Sequence, residues 1–217
     1  MSWIITAHGN EYPIDPTSLG AMPVAYTYPI EEIAHALAQI NRYAGATTRP
    51  YGVAEHSLLV ADLARKAGHS PIVELACLMH DAHEAYVGDV SSPLKWVLGE
   101  AWHTLESIHQ NALLKAHGLT TASRVHRHLI KALDLVALAT ERRDLTLYTP
   151  GTSTQWTVID TPGQEHKPDR WIHIDGAPDQ YLTWTHWRDA FLSRHAKLQA
   201  ELYEYQARQT QATGAPA

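Results

Sequence analysis

An adjacent imidazole and carboxylate close an otherwise apolar stretch of this chain. Residues 71–79, Pro-Ile-Val-Glu-Leu-Ala-Cys-Leu-Met, run directly into His80-Asp81, with Glu84 one helical turn on and Asp89 just past Gly88. Burying such a pair is costly unless an opposite charge sits with it, and a divalent cation is the usual occupant. A chain carrying this pair has to fold so that further ligands reach it.

Apolar spacing predicts an all-α bundle. Pro29 opens a helix with Glu31 and Glu32 in its first turn and a stripe of Ile30, Ile33, Ala34, Leu37 and Ile40, running to Gly45. Further helices are expected over about 53–67, 70–86, 92–117 with a break at Gly99, 121–145 and 181–208. Residues 1–28, with Pro13, Pro16, Gly20 and Pro23, read as an irregular arm holding one short strand at 3–7. Residues 148–180 read as an irregular insertion, a loop or small hairpin with β-like runs at 155–159 and 170–174, and 210–217 as a frayed tail. At 217 residues and without repeats, the chain reads as one domain, 1–217, with its core over 28–145.

Helical phase, at about 100° per residue, predicts where the polar residues point. Taking His80 as zero, Asp81 falls near 100° and Glu84 near 40°, between them, while His83 lies about 60° to the other side. On the 53–67 helix His56 shares a stripe with Leu59, Val60 and Leu63. On the 121–145 helix Asp134 shares one with Ile130, Ala137, Leu138 and Glu141. A lone Asp in an apolar stripe demands a charged partner. His56, His80, Asp81 and Asp134, inward on three successive helices, therefore predict a metal site. Two imidazoles and two carboxylates without a thiolate suit one divalent transition ion (Co²⁺, Mn²⁺, Zn²⁺, Ni²⁺ or Fe²⁺) with open positions for water.

Composition limits the partners. A net charge of −6 with no Lys/Arg run argues against a nucleic-acid polymer, although a single nucleotide needs only one or two cations. The single cysteine, Cys77, leaves no disulfide framework and no cysteine zinc site. Residues 1–8 lack the pattern of a signal peptide, and no apolar run approaches the roughly 20 residues of a membrane span. A cytoplasmic protein without membrane contact is expected. Most of the fifteen histidines read as surface residues.

The order His56 … His80-Asp81 … Asp134 resembles the HD-domain metal-dependent phosphohydrolase superfamily. Val53-Ala54-Glu55-His56-Ser57, His80-Asp81-Ala82-His83-Glu84, Gly88-Asp89 and Pro93-Leu94-Lys95 together resemble most nearly the bacterial HD-class 5′-deoxynucleotidases and phage enzymes that hydrolyse dATP. The likeness covers roughly residues 28–145. It implies an HD-type helical bundle with His56, His80, Asp81 and Asp134 as metal ligands. Glu84 is implied as general base or orienter of the attacking water, Asp89 as ligand of the deoxyribose 3′-hydroxyl and Lys95 as a phosphate ligand. Arg42-Tyr43 is the counterpart of an upstream Arg–aromatic clamp on phosphate and base, and Arg49 is a second candidate phosphate ligand. The implied activity is hydrolysis of a deoxynucleoside 5′-phosphate, mono- or triphosphate, by a homo-oligomer in a bacterial or phage-infected cytoplasm. Two alternatives remain open. One is a two-metal phosphodiesterase drawing on His103, His109, His117, His126 or His128; the other is a non-enzymatic metal-bearing nucleotide sensor.

Overall fold

The computed structural model describes residues 2–19, 26–176 and 181–213. It starts with a short antiparallel hairpin, β1 (Trp3–Ile5) against β2 (Glu11–Pro13), in the register Trp3↔Pro13, Ile4↔Tyr12, Ile5↔Glu11. One helical turn, α1 (Pro16–Leu19), follows. The rest is helical: α2 (Ile30–Leu37), α3 (Val53–Lys66), α4 (Pro71–Leu78), α5 (Glu84–Val87), α6 (Ser92–Leu98), α7 (Glu100–Ala116), α8 (Thr120–Val125), α9 (Arg127–Leu145), α10 (Thr157–Asp160) and α11 (Trp184–Thr213). The architecture is all-α, as the apolar spacing predicts. No helix among the described residues is long and apolar enough to cross a membrane.

Helix α3 lies at the centre, packed by α4, α9, α11 and α2. Every residue from Val53 to Ala61 is buried, which forces its polar members to find partners. Glu55 pairs with Arg49. Glu74 of α4 is held by Arg65 and by Arg194 of α11, at 2.8 and 3.0 Å. His56, in the first turn of α3, faces the site.

Several helix boundaries differ from the sequence reading, and the hydrogen bonds show why. The helix expected up to Gly45 ends at Leu37, because residues 40–42 pair with the chain entering α3: Val53 N donates to Ile40 O (3.0 Å) and Arg42 N to Tyr51 O (2.9 Å). Arg42–Gly45 becomes a separate tight turn, with Tyr43 and Ala44 at φ of 56° and 51°. The helix expected over 70–86 stops at Leu78. The His80 ring takes the Cys77 carbonyl (Nδ1 to O, 2.7 Å), which a continuing α-helix would offer to the Asp81 N–H. The chain then winds by three-residue bonds, Ala82 N to Met79 O and Glu84 N to Asp81 O, before α5. A phase count on one continuous helix therefore does not place Glu84.

Gly99, at φ 62°, separates α6 from α7 as expected, whereas the break at His126 between α8 and α9 was not expected. The 148–180 insertion carries no hairpin among its described residues. Instead α10 packs Ile159 against Leu135 and Ala139 of α9, and Arg142 pairs with Asp160. The last helix starts at Trp184 and continues beyond Arg208 to Thr213, into the stretch read as tail. Gly20 and Pro23 of the arm, residues 177–180 of the insertion and 214–217 of the tail lie outside the described residues.

Gly52 is required at the mouth of α3. A Cβ there would stand 3.1 Å from the Ala38 carbonyl oxygen and 3.2 Å from that of Leu37. Both are backbone atoms, so relief means moving the end of α2. Gly52→Ala is expected to cost about 1–3 kcal/mol, read as a lower urea midpoint. An unchanged midpoint would show that the two carbonyls yield freely.

Candidate metal centre

Three elements bring the predicted ligands together. α3 supplies His56, the turn after α4 supplies His80 and Asp81, and α9 supplies Asp134. The two Nε2 atoms stand 3.3 Å apart. His56 Nε2 lies 3.3 Å from Asp134 Oδ1 and 3.5 Å from Asp81 Oδ2. His80 Nε2 lies 3.1 Å from Asp81 Oδ2 and 4.0 Å from Asp134 Oδ1. Ligand bonds of about 2.0–2.2 Å put neighbouring donors roughly 3–3.5 Å apart; His56, His80 and Asp134 form one group of mutually close donors that could hold an ion, with Asp81 near both rings but outside that group.

The outer contacts decide which ring atoms face the centre. His80 Nδ1 donates to the Cys77 carbonyl. His56 Nδ1 donates to Glu141 Oε1. Both partners are acceptors only, so each Nδ1 carries the proton and each Nε2 presents a lone pair. Two lone pairs 3.3 Å apart need a cation between them, either a proton or a metal ion. Glu141 is fully buried and also accepts from Tyr43 OH (2.6 Å), Tyr51 OH (3.1 Å) and Arg42 Nη2 (3.2 Å).

The charges follow from this crowding. Burial and the Arg42 charge work against a proton on His56, but Glu141 and Asp134 outweigh them and raise it to about 9. Burial disfavours the charged forms of Asp134 and Asp81. The His56 hydrogen bond holds Asp134 well below the usual carboxylate range, and the His80 charge and hydrogen bond do the same for Asp81. Arg42 and His56 lower Glu141 to about 2 against its burial. Metal uptake by these donors would displace a proton from His56. Cys77 offers no competing thiolate, since burial pushes its thiol up to about 12.

Asp81 and Asp134 of the cluster, with Glu84 and Asp89, line a cleft of about 630 Å³. Glu84 is buried, and its Oε2 has no hydrogen-bond partner. Burial first, then Asp81 and Asp89, push its carboxyl well above the usual range. Burial likewise raises Asp89. Arg42 and Lys95 reach the same cleft, where Arg42 Nη1 stands 3.7 Å from Asp81 Oδ2 and Lys95 Nζ 2.5 Å from Glu106 Oε1. Tyr43 lines it too, with its hydroxyl committed to Glu141. Arg49 is the exception among the expected phosphate ligands. It is buried outside the cleft lining, paired with Glu55 and donating to Ile174 O (2.7 Å), because α3 buries a carboxylate that needs a cation.

Some residues of the site escaped the sequence reading. Glu141 was visible as a member of the Asp134 stripe, seven residues on, but its acidity was not given a role. Lys131, three residues before Asp134, donates to Asp134 Oδ2 at 2.7 Å and lines the cleft. Trp96 and Trp156 also line it. His83, set aside by phase, is buried beside Glu84 and 3.6 Å from Glu106, with neither ring nitrogen hydrogen-bonded. His83, Glu84 and Glu106 form a second group of metal-type donors, but the Lys95 ammonium already occupies Glu106. None of His103, His109, His117, His126 and His128 joins a donor group among the described residues. His109 bonds Tyr12 OH and Ile14 O, and His117 bonds Tyr28 O.

No family model matches the chain. It is 36% identical over 147 residues to the uncharacterized protein YfdR of Escherichia coli, covering 68% of this chain and 74% of that one. It is also 36% identical over 128 residues to an uncharacterized protein of Rhodobacter capsulatus, covering 57% of this chain and 65% of its relative. The alignment thus spans just under two thirds of the Rhodobacter protein. The chain belongs to the same family as YfdR.

Glu141→Gln is expected to weaken Mn²⁺ or Co²⁺ binding about 10- to 100-fold by loosening the orientation of His56. His56→Ala should abolish binding. Calorimetric titration reads both, and wild-type affinity in the His56 variant would remove the ion from this site.

Proposed function

We propose that the chain is an HD-type, metal-dependent phosphohydrolase that cleaves deoxynucleoside 5′-phosphates and releases the deoxynucleoside. The observation that carries this reading is the pair of facing Nε2 atoms, each ring fixed through Nδ1, flanked by two carboxylates in a cation-lined cleft. Such a combination suits phosphoryl transfer, whose transition state spreads negative charge over equatorial oxygens that a bound ion and neighbouring cations stabilise.

His56, His80, Asp81 and Asp134 would hold the ion, which supplies Lewis acidity toward a phosphate oxygen. Glu84, which lines the cleft with an unpartnered carboxyl oxygen, takes a proton from the attacking water and returns it to the leaving oxygen. Arg42 and Lys95 neutralise the charge that builds on the phosphoryl group. Lys95 reaches the cleft tethered by Glu106, and Lys131 adds a cation at Asp134. Asp89 accepts from a sugar hydroxyl.

The small-molecule partner fits a cleft of this size, and the net charge of −6 supports a single nucleotide over a polymer. Self-association in the cytoplasm belongs to the same reading, supported by the exposed Leu94, Trp96, Val97 and Leu98 on α6. The two-metal alternative has less support, since Lys95 supplies the positive charge at Glu106.

A panel of dNMPs and dNTPs with added Mn²⁺ or Co²⁺, scored for phosphate, pyrophosphate or triphosphate, tests the proposal. Wild type is expected to turn over at least one deoxynucleotide. Glu84→Gln should keep its metal and lose about 10²- to 10⁴-fold in rate. Wild-type turnover by Asp81→Ala with unchanged metal content would refute the assignment, as would a metal-loaded protein inert toward the whole panel.

A further inference from the structure

The cleft is lined by two kinds of chemistry, the carboxylates and cations already described and the indoles of Trp96 and Trp156. Trp156, the residue before α10, lines it from the insertion, outside the 28–145 stretch that carries the family likeness. Its backbone N–H donates to Asp160 Oδ2 (2.7 Å), and Asp160 in turn pairs with Arg142. The Arg142 guanidinium stands 5.3 Å from the indole, with the rings of Tyr43 and Tyr148 at 6.0 and 6.2 Å. The indole is thus held from several sides before any ligand arrives, which lowers the entropy cost of using it.

It also faces the same space as the chemistry. Trp156 and Leu138 both pack on the small cluster of Leu135, Ala139 and Ile159, and Leu138 lies four residues after Asp134 on the same face of α9. Trp156, Leu138 and Asp134 line one cleft, so a ligand that reaches the carboxylates with one end can meet the indole with the other. The other aromatics are less suited: Tyr43 is tied by its hydroxyl to Glu141, and Trp96 is 63% exposed and little held by packing.

Resting on the phosphohydrolase reading, we propose that Trp156 is the stacking platform for the substrate's base. Stacking reads a π face, not an edge pattern. Every base is accepted, and purines bind more tightly than pyrimidines through their larger area.

The test uses calorimetric titration of Mn²⁺-loaded Glu84→Gln protein, which prevents turnover, with dAMP, dATP, dCMP and 2-deoxyribose 5-phosphate. With Trp156 intact, the purine nucleotides are expected to bind at least about tenfold more tightly than the base-free sugar phosphate. Adding Trp156→Leu should remove that advantage and leave the sugar phosphate unaffected, while Trp156→Phe retains most of it. Equal affinity for dAMP, dATP and the sugar phosphate with Trp156 intact overturns the inference whatever the variants do. So does a Trp156→Leu protein that loses all ligands equally or none. Failure of every ligand to bind would instead remove the phosphohydrolase reading, and this inference with it.

Discussion

The buried carboxylate of Glu141 is the contact on which the rest of the site depends. A fully desolvated carboxylate is stable only when several donors converge on it, and here His56, Tyr43, Tyr51 and Arg42 all do. That convergence orients the His56 ring, pins the left-handed turn at Tyr43 and Ala44, and draws Arg42 across to within reach of Asp81. Ligand, cation and aromatic wall are therefore one network, anchored on a side chain that touches no solvent.

A second local contact shapes the other half. By taking the Cys77 carbonyl, the His80 ring ends α4 and fixes its own tautomer in the same bond. The three-residue winding that follows carries Asp81 and Glu84 into the cleft. Beyond it, Glu106 of α7 holds Lys95 in the cleft wall and stands beside His83. Three cations and four carboxylates then face one opening.

Much of this was legible in one dimension. Apolar periodicity marks the helices, and the exceptions to it, His56 and Asp134, mark the residues that must face a charge. Glu141 obeyed the same periodicity, but a stripe says only that a residue points inward, not which imidazole it meets. Arg49 shows the converse. As a loop cation near the site it read as a phosphate ligand, yet Glu55, buried six residues later, needed it more. Trp156 had no sequence signal beyond being aromatic, because its place depends on how the insertion packs back on α9 through Ile159 and the Arg142–Asp160 pair.

The sequence by itself determined the helical class and four inward metal-type donors, since burial of apolar faces and the cost of unpaired buried charge act residue by residue. Tertiary structure alone decided where the helix at Leu37 stops, which carboxylate orients His56, which arginine is spent on packing and which indole reaches the cleft. Each of these depends on competition for an acceptor or charge among residues that no single helix brings together. Such competition leaves no periodic trace.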